Sequence, residues 1–94
     1  MYHLQVITPE KIVFDDKVTA LIAPGSDGYF GVLTDHAPLI ATLRDGVFII
    51  TRKEKEKFYY NITGGFLEVN HNEVSVLVES LKETTPVEMG EGAL

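Results

Sequence analysis

Cysteine is absent from the 94 residues, which excludes a disulfide framework, a thiolate metal site and a cysteine nucleophile. It leaves the compartment open, the cytosol included. Long apolar runs are missing too. The longest, such as Val47-Phe48-Ile49-Ile50, hold about four residues, where a membrane-spanning helix needs roughly 20. No charged stretch followed by an apolar block opens the chain, so no secretory signal is visible. Basic groups are in the minority, 8 against 14 acids for a net charge of −6. Nucleic-acid binders show the reverse balance, gathered into a basic face. The expectation is therefore no direct membrane insertion and no nucleic-acid partner. A chain of this length makes one domain. Such a domain hides roughly 60–65% of its unfolded surface, and further burial needs a partner.

What is present is the two-residue period of strands. In Tyr2–Ile7, Leu4 and Val6 share one face while His3 and Gln5 share the other. Thr8-Pro9-Glu10 ends that strand, because proline cannot donate to a ladder. Lys11–Phe14 predicts a short second strand, turned back by Asp15-Asp16. In a third, Val18, Ala20 and Ile22 alternate with Thr19, Leu21 and Ala23 until Pro24-Gly25 stops it. Leu39–Leu43 and Val47–Thr51 flank Asp45-Gly46, a pattern that predicts a hairpin closed by a type I′ turn. Arg52-Lys53-Glu54-Lys55-Glu56-Lys57 alternates charge without an apolar residue and reads as a solvated tip. Phe58–Ile62 follows, with Phe58 and Tyr60 on one face as core aromatics, and Gly64-Gly65 breaks it. Phe66–Val69 and Val74–Val78 surround Asn70-His71-Asn72, a second predicted hairpin turn. The fold class expected is all-β, a flattened sandwich or barrel of about ten short strands with no helical domain. It occupies residues 1–81, and 82–94 reads as a flexible tail.

Two strands are apolar on both faces. Val47 and Ile49 oppose Phe48 and Ile50, and Leu77 opposes Val74, Val76 and Val78. A sandwich strand turns only one face to the core, so neighbouring loops and strands, or a partner, cover the other.

The most heavily specified stretch is 24–40. Gly25, Gly28 and Gly31 recur at three-residue spacing, each free to adopt positive φ, with Tyr29, Phe30, Val32 and Leu33 between and after them. Asp35-His36-Ala37-Pro38 then turns the chain into Leu39-Ile40-Ala41. This reads as a loop of obligatory shape, either a tight corner or a docking surface. Its chemistry is thin. Asp35-His36 lacks a partner nucleophile, and neighbours in extended chain point to opposite faces, so Asp35 does not orient His36. The glycines lack the lysine and following helix of a phosphate loop, and Asp16, Asp27 and Asp35 disfavour an anion. His3, His36 and His71 show no metal-ligand spacing. No catalytic residue, metal or cofactor is assigned.

The ordered set of motifs resembles the epsilon subunit family of F-type ATP synthases, the counterpart of the mitochondrial delta subunit. The matching residues are Tyr2-His3-Leu4-Gln5-Val6, Pro24-Gly25, Gly28-Tyr29-Phe30-Gly31-Val32-Leu33 and His36-Ala37-Pro38-Leu39. They continue with Leu43-Arg44-Asp45-Gly46, Gly64-Gly65-Phe66-Leu67-Glu68-Val69 and Val74-Ser75-Val76-Leu77, and span residues 2–80.

The resemblance implies a non-catalytic rotor subunit of the central stalk. Its partners would be the gamma subunit and the c-ring, so that ion flow through the membrane sector drives rotary ATP synthesis. The loop matching the c-ring contact holds Gly25, Asp27, Gly28, Tyr29 and Gly31. The segment matching the gamma contact is Asp35, His36, Ala37 and Pro38. Placement is peripheral, through the complex, on the cytoplasmic face of a bacterial inner membrane or an equivalent energy-coupling membrane. Two departures stand out. Tyr29 falls where many members carry an acidic or small residue. After the last strand no amphipathic run opens, so a short form without the inhibitory, ATP-sensing helical pair is expected. The alternatives are a stand-alone β-sandwich module for a ligand or peptide, and a small hydrolase using His36.

Overall fold

Eight strands form in the computed structural model, which describes residues 1–85: β1 (Tyr2–Ile7), β2 (Ile12–Val18), β3 (Ala20–Gly25), β4 (Gly28–Leu33), β5 (Leu39–Leu43), β6 (Gly46–Thr51), β7 (Lys57–Asn70) and β8 (Glu73–Glu83). The long β7 and β8 run through both layers of a sandwich. In one layer lie β2, β1, the first half of β8, the second half of β7 and β5. In the other lie the second half of β8, the first half of β7, then β6, β3 and β4. Five segments on each side make the flattened sandwich of about ten strands that the alternating pattern predicts.

Alternation puts Leu4, Val6, Leu67 and Val76 of the first layer against Leu21, Val32, Phe48 and Ile50 of the second, all fully buried. Tyr2 adds a polar tie between layers, its hydroxyl donating to the Val32 carbonyl at 2.7 Å. Burial pushes this phenol above its ordinary range, so it stays a donor. Tyr2→Phe removes this hydrogen bond from the core, a loss of about 1 kcal/mol. Urea denaturation followed by circular dichroism would report it as a lower midpoint at unchanged slope.

Several local expectations change, and β7 explains most of them. Gly64-Gly65 does not break a strand. The β7–β8 ladder keeps one register from Tyr60↔Glu83 to Asn70↔Glu73. The glycines mark the bend where β7 passes between layers, and a Cβ on Gly65 would lie 1.9 Å from the Leu77 carbonyl oxygen. Asp45-Gly46 closes no hairpin either. β5 and β6 lie end to end along one edge of β7, and neither turn residue has positive φ. Arg44 and Asp45 carry the chain round the same bend, where Asp45 Oδ1 accepts from Gly64 N at 2.9 Å. The Asn70-His71-Asn72 turn does form as expected, with φ of 51° at His71 and 61° at Asn72.

Asp15-Asp16 does not turn the chain back, because both carboxylates have partners within a continuous β2. Asp16 Oδ2 accepts from Arg52 Nη1 at 2.7 Å. The Arg52 guanidinium lies over the Phe58 ring, which meets Phe14 edge-on. These contacts tie β2 to β7 and to the chain just after β6. The predicted solvated tip is a single 3-10 turn, Lys53–Lys55, with Arg52 drawn inward. Tyr60 is buried as expected. The parallel pairing of β1 with β8 joins residues about 70 apart and has no local signal. Residues 82 and 83 continue β8, and the expected tail lies outside the described residues from 86 onward.

Candidate partner-binding surfaces

Within the stretch 24–40, residues 24–33 form a hairpin rather than a loop. Pro24 and Gly25 belong to β3, Ser26 and Asp27 make the turn, and Gly25 pairs with Gly28. Of the three glycines only Gly28 has positive φ, at 131°; Gly25 and Gly31 have strand backbone. The turn is anchored at its base. Ser26 N donates to the Thr42 carbonyl and Arg44 N to the Pro24 carbonyl, each at 2.9 Å. Arg44 Nε donates to the Gly25 carbonyl at 3.2 Å, and its guanidinium lies over the Tyr29 ring. The Tyr29 hydroxyl accepts from Val47 N at 3.3 Å. Gly25, Asp27, Gly28 and Tyr29 are thus brought together at one tip. Gly31 stands apart, half-way along β4 and opposite Ile22.

Asp35-His36-Ala37-Pro38 follows the other end of β4, roughly 17 Å from Gly28 at about 3.3 Å per residue. Asp35 has φ of 63°. Its N–H donates to Asn72 Oδ1, and Asn72 Nδ2 donates back to Asp35 Oδ1, both at 2.8 Å. His36 Nδ1 donates to the Ala37 carbonyl at 2.7 Å. The carboxylate and the imidazole are therefore engaged separately, and Asp35 does not orient His36. Asn72 was missed at the sequence level; a side-chain clamp across 37 residues leaves no local pattern.

Apolar side chains stand out from both layers. On the first, Ile40 is 75% exposed, Phe66 59% and Leu77 50%. On the second, Leu33 is 64% exposed, with Tyr29 and Ile22 beside it on β4 and β3. Phe66, Leu77, Ile7 and Leu43 line an apolar groove of about 610 Å³ with Glu79 at its margin. The two-faced strands resolve differently. In β6 neighbours cover the outer residue, since Ile49 is buried between Ile22 and Tyr59, whereas Leu77 of β8 is left open.

Comparison with known proteins gives this geometry a family. The ATP synthase delta/epsilon chain β-sandwich domain matches residues 1–84. The chain belongs to the ATP synthase delta/epsilon family.

An ATP synthase epsilon chain from Leptospira borgpetersenii is 46% identical over 94 residues, covering 98% of this chain and 73% of the relative. One from Protochlamydia amoebophila is 38% identical over 89 residues, and this chain spans 60% of its length. Another, from Chlorobium limicola, is 39% identical over 80 residues, which make up 91% of that relative. The fold also matches a chain in the Euglena gracilis mitochondrial ATP synthase structure containing OSCP, F1 and the c-ring. There the TM-score is 0.82 at 20% identity, with 95% of this chain and 59% of that one aligned.

Within this delta/epsilon sandwich, two hairpin positions need glycine: Gly25 for space, since a Cβ there would lie 2.7 Å from the Gly28 carbonyl oxygen, and Gly28 for its φ. A Cβ added at Gly28 meets nothing within 4 Å, so the cost of Gly28→Val is backbone strain alone, about 1–3 kcal/mol. Thermal melts should show a folded but less stable protein, and an unchanged midpoint would contradict the role given to its φ.

Proposed function

We propose that this chain works as a non-catalytic rotor subunit of an F-type ATP synthase, fastening the gamma subunit of the central stalk to the c-ring. One observation carries the reading: exposed apolar side chains stand on the outer faces of both layers of a close-packed sandwich. Soluble monomers rarely leave such patches wet, and two faces suit two neighbours. Area permits it. A standard interface takes about 800 Å² from each partner, against 5695 Å² of surface here. The anchored hairpin carrying Gly25, Asp27, Gly28 and Tyr29 faces the ring, with Gly31 behind it. The Asp35–Pro38 segment, clamped by Asn72, faces gamma. Their separation along β4 lets both partners bind together, and a close-packed interior transmits torque without yielding. The complex sits against the coupling membrane through the ring. Among the described residues no helix is long and apolar enough to cross a membrane.

The groove beside Phe66 and Leu77 favours a second reading, a stand-alone module for an apolar ligand or peptide, since its size suits a small molecule. Co-expression with gamma and c subunits, followed by size exclusion, separates the two. Stoichiometric co-elution supports the rotor. A persistent monomer beside folded gamma supports the module.

A further inference from the structure

One imidazole and two carboxylates outside the surfaces above meet on the outer face of the first layer. His3 Nε2 donates to Asp15 Oδ1 at 2.5 Å, and His3 Nδ1 donates to Glu73 Oε1 at 3.0 Å. An ionised carboxylate only accepts, so both ring nitrogens must carry protons for both bonds to exist. The geometry is that of an imidazolium. Its partners come from the strands on either side, Asp15 from β2 and Glu73 from β8, with His3 on β1 between them. Gln5 Nε2 donates to the second oxygen of Asp15 at 3.1 Å. The cluster also touches the turn that holds Asp35. His3 N donates to the carbonyl of Asn72 at 3.1 Å, next to Glu73, and the Asn72 side chain clamps Asp35.

We infer that His3 is a proton-dependent clasp across β2, β1 and β8, which holds two carboxylates when protonated and has to release one when it loses the proton. No covalent step is involved; one proton leaves a ring nitrogen to solvent, and that nitrogen then has only a lone pair to set against a carboxylate. The carboxylate so released sits either on the β2 edge or beside the turn carrying Asn72. Other charges bear on the ring from each side. Lys17 of β2 is the direct register partner of His3 and opposes its charge. Glu68 of β7, one row further across the sheet and paired with Ser75, favours it. The Met1 amino group and His71 are the remaining titratable neighbours along β1 and the turn.

Hydrogen bonding to Asp15 first, and then to Glu73, raises the His3 ring above the usual histidine range, against a smaller opposing effect of burial. A histidine raised on folding stabilises fully below its unfolded pKa, and that stability is lost as pH rises through the folded value. An NMR titration of the ring tests the clasp. The His3 ring should titrate with a midpoint above that of histidines in the urea-unfolded chain, and both nitrogens should carry protons below that midpoint. Asp15→Asn and Glu73→Gln should each lower that midpoint, and the double substitution should lower it further. In parallel melts, wild type should exceed His3→Gln in Tm by a few degrees at about pH 6, a gap that closes toward about pH 9. A midpoint equal to the unfolded value, or one unmoved by the double substitution, would overturn the clasp. So would a Tm gap that is flat across the pH range.

Discussion

Gly65→Ala should cost about 3 kcal/mol or more, near or beyond the upper end for overpacking a core, and lower Tm by roughly 12–24 °C. The new methyl would stand 1.9 Å from the Leu77 carbonyl oxygen. That oxygen belongs to β8 backbone within the β7–β8 ladder, so no side-chain rotation relieves the contact. β7 and β8 must separate where both pass between the layers. Gly64→Ala is the control. Its Cβ would sit 3.4 Å from the Leu43 carbonyl oxygen, ordinary contact, and the loss should stay below about 1 kcal/mol. Thermal and urea melts of the two variants check the contrast. Equal, small losses would mean that the layers are not joined by the closely packed bend described above.

The second large effect is on association. Phe66→Thr combined with Leu77→Thr removes the two most prominent apolar side chains around the groove while keeping good strand formers in place. Both residues are at least half exposed, and they pair directly across β7 and β8. Folding stability should therefore change by about 1 kcal/mol or less. If this face is docked in the assembled enzyme, the double variant should bind the stalk-and-ring subassembly roughly 30-fold or more weakly, the loss expected of a truncated interface anchor. Titration calorimetry with that subassembly measures it. Unchanged affinity would remove this face from the interface.

Much of the fold was legible because alternation alone decides which face of a strand is buried. Leu4, Val6, Leu67, Val76 and Ile50 all follow that rule. The Asn70–Asn72 turn was legible because its residues tolerate positive φ. Asp45-Gly46 misled for an instructive reason. An Asp-Gly pair between apolar runs fits a type I′ turn, but β7 is long enough to take β5 and β6 in succession along one edge. Long-range pairing overrode the local signal. The same holds for Gly64-Gly65, where close backbone approach at Gly65, not a strand end, explains the pair, and for Asp15-Asp16, whose partners His3, on β1, and Arg52, just after β6, are distant in sequence.

At the candidate surfaces, the form of the segments differs from the sequence reading. Pro24–Leu33 is largely paired strand, and Gly28 alone uses its conformational freedom. Asn72, Arg44 and Phe66 were not picked out as functional, because what each one holds or exposes depends on strands far away in the chain.

Hydrogen–deuterium exchange on the chain alone and within the assembled synthase reads docking at these segments. New protection is expected at the Gly25–Tyr29 hairpin and at Asp35–Pro38 once gamma and the ring are bound. Identical exchange at both segments in the free and assembled states would contradict docking there.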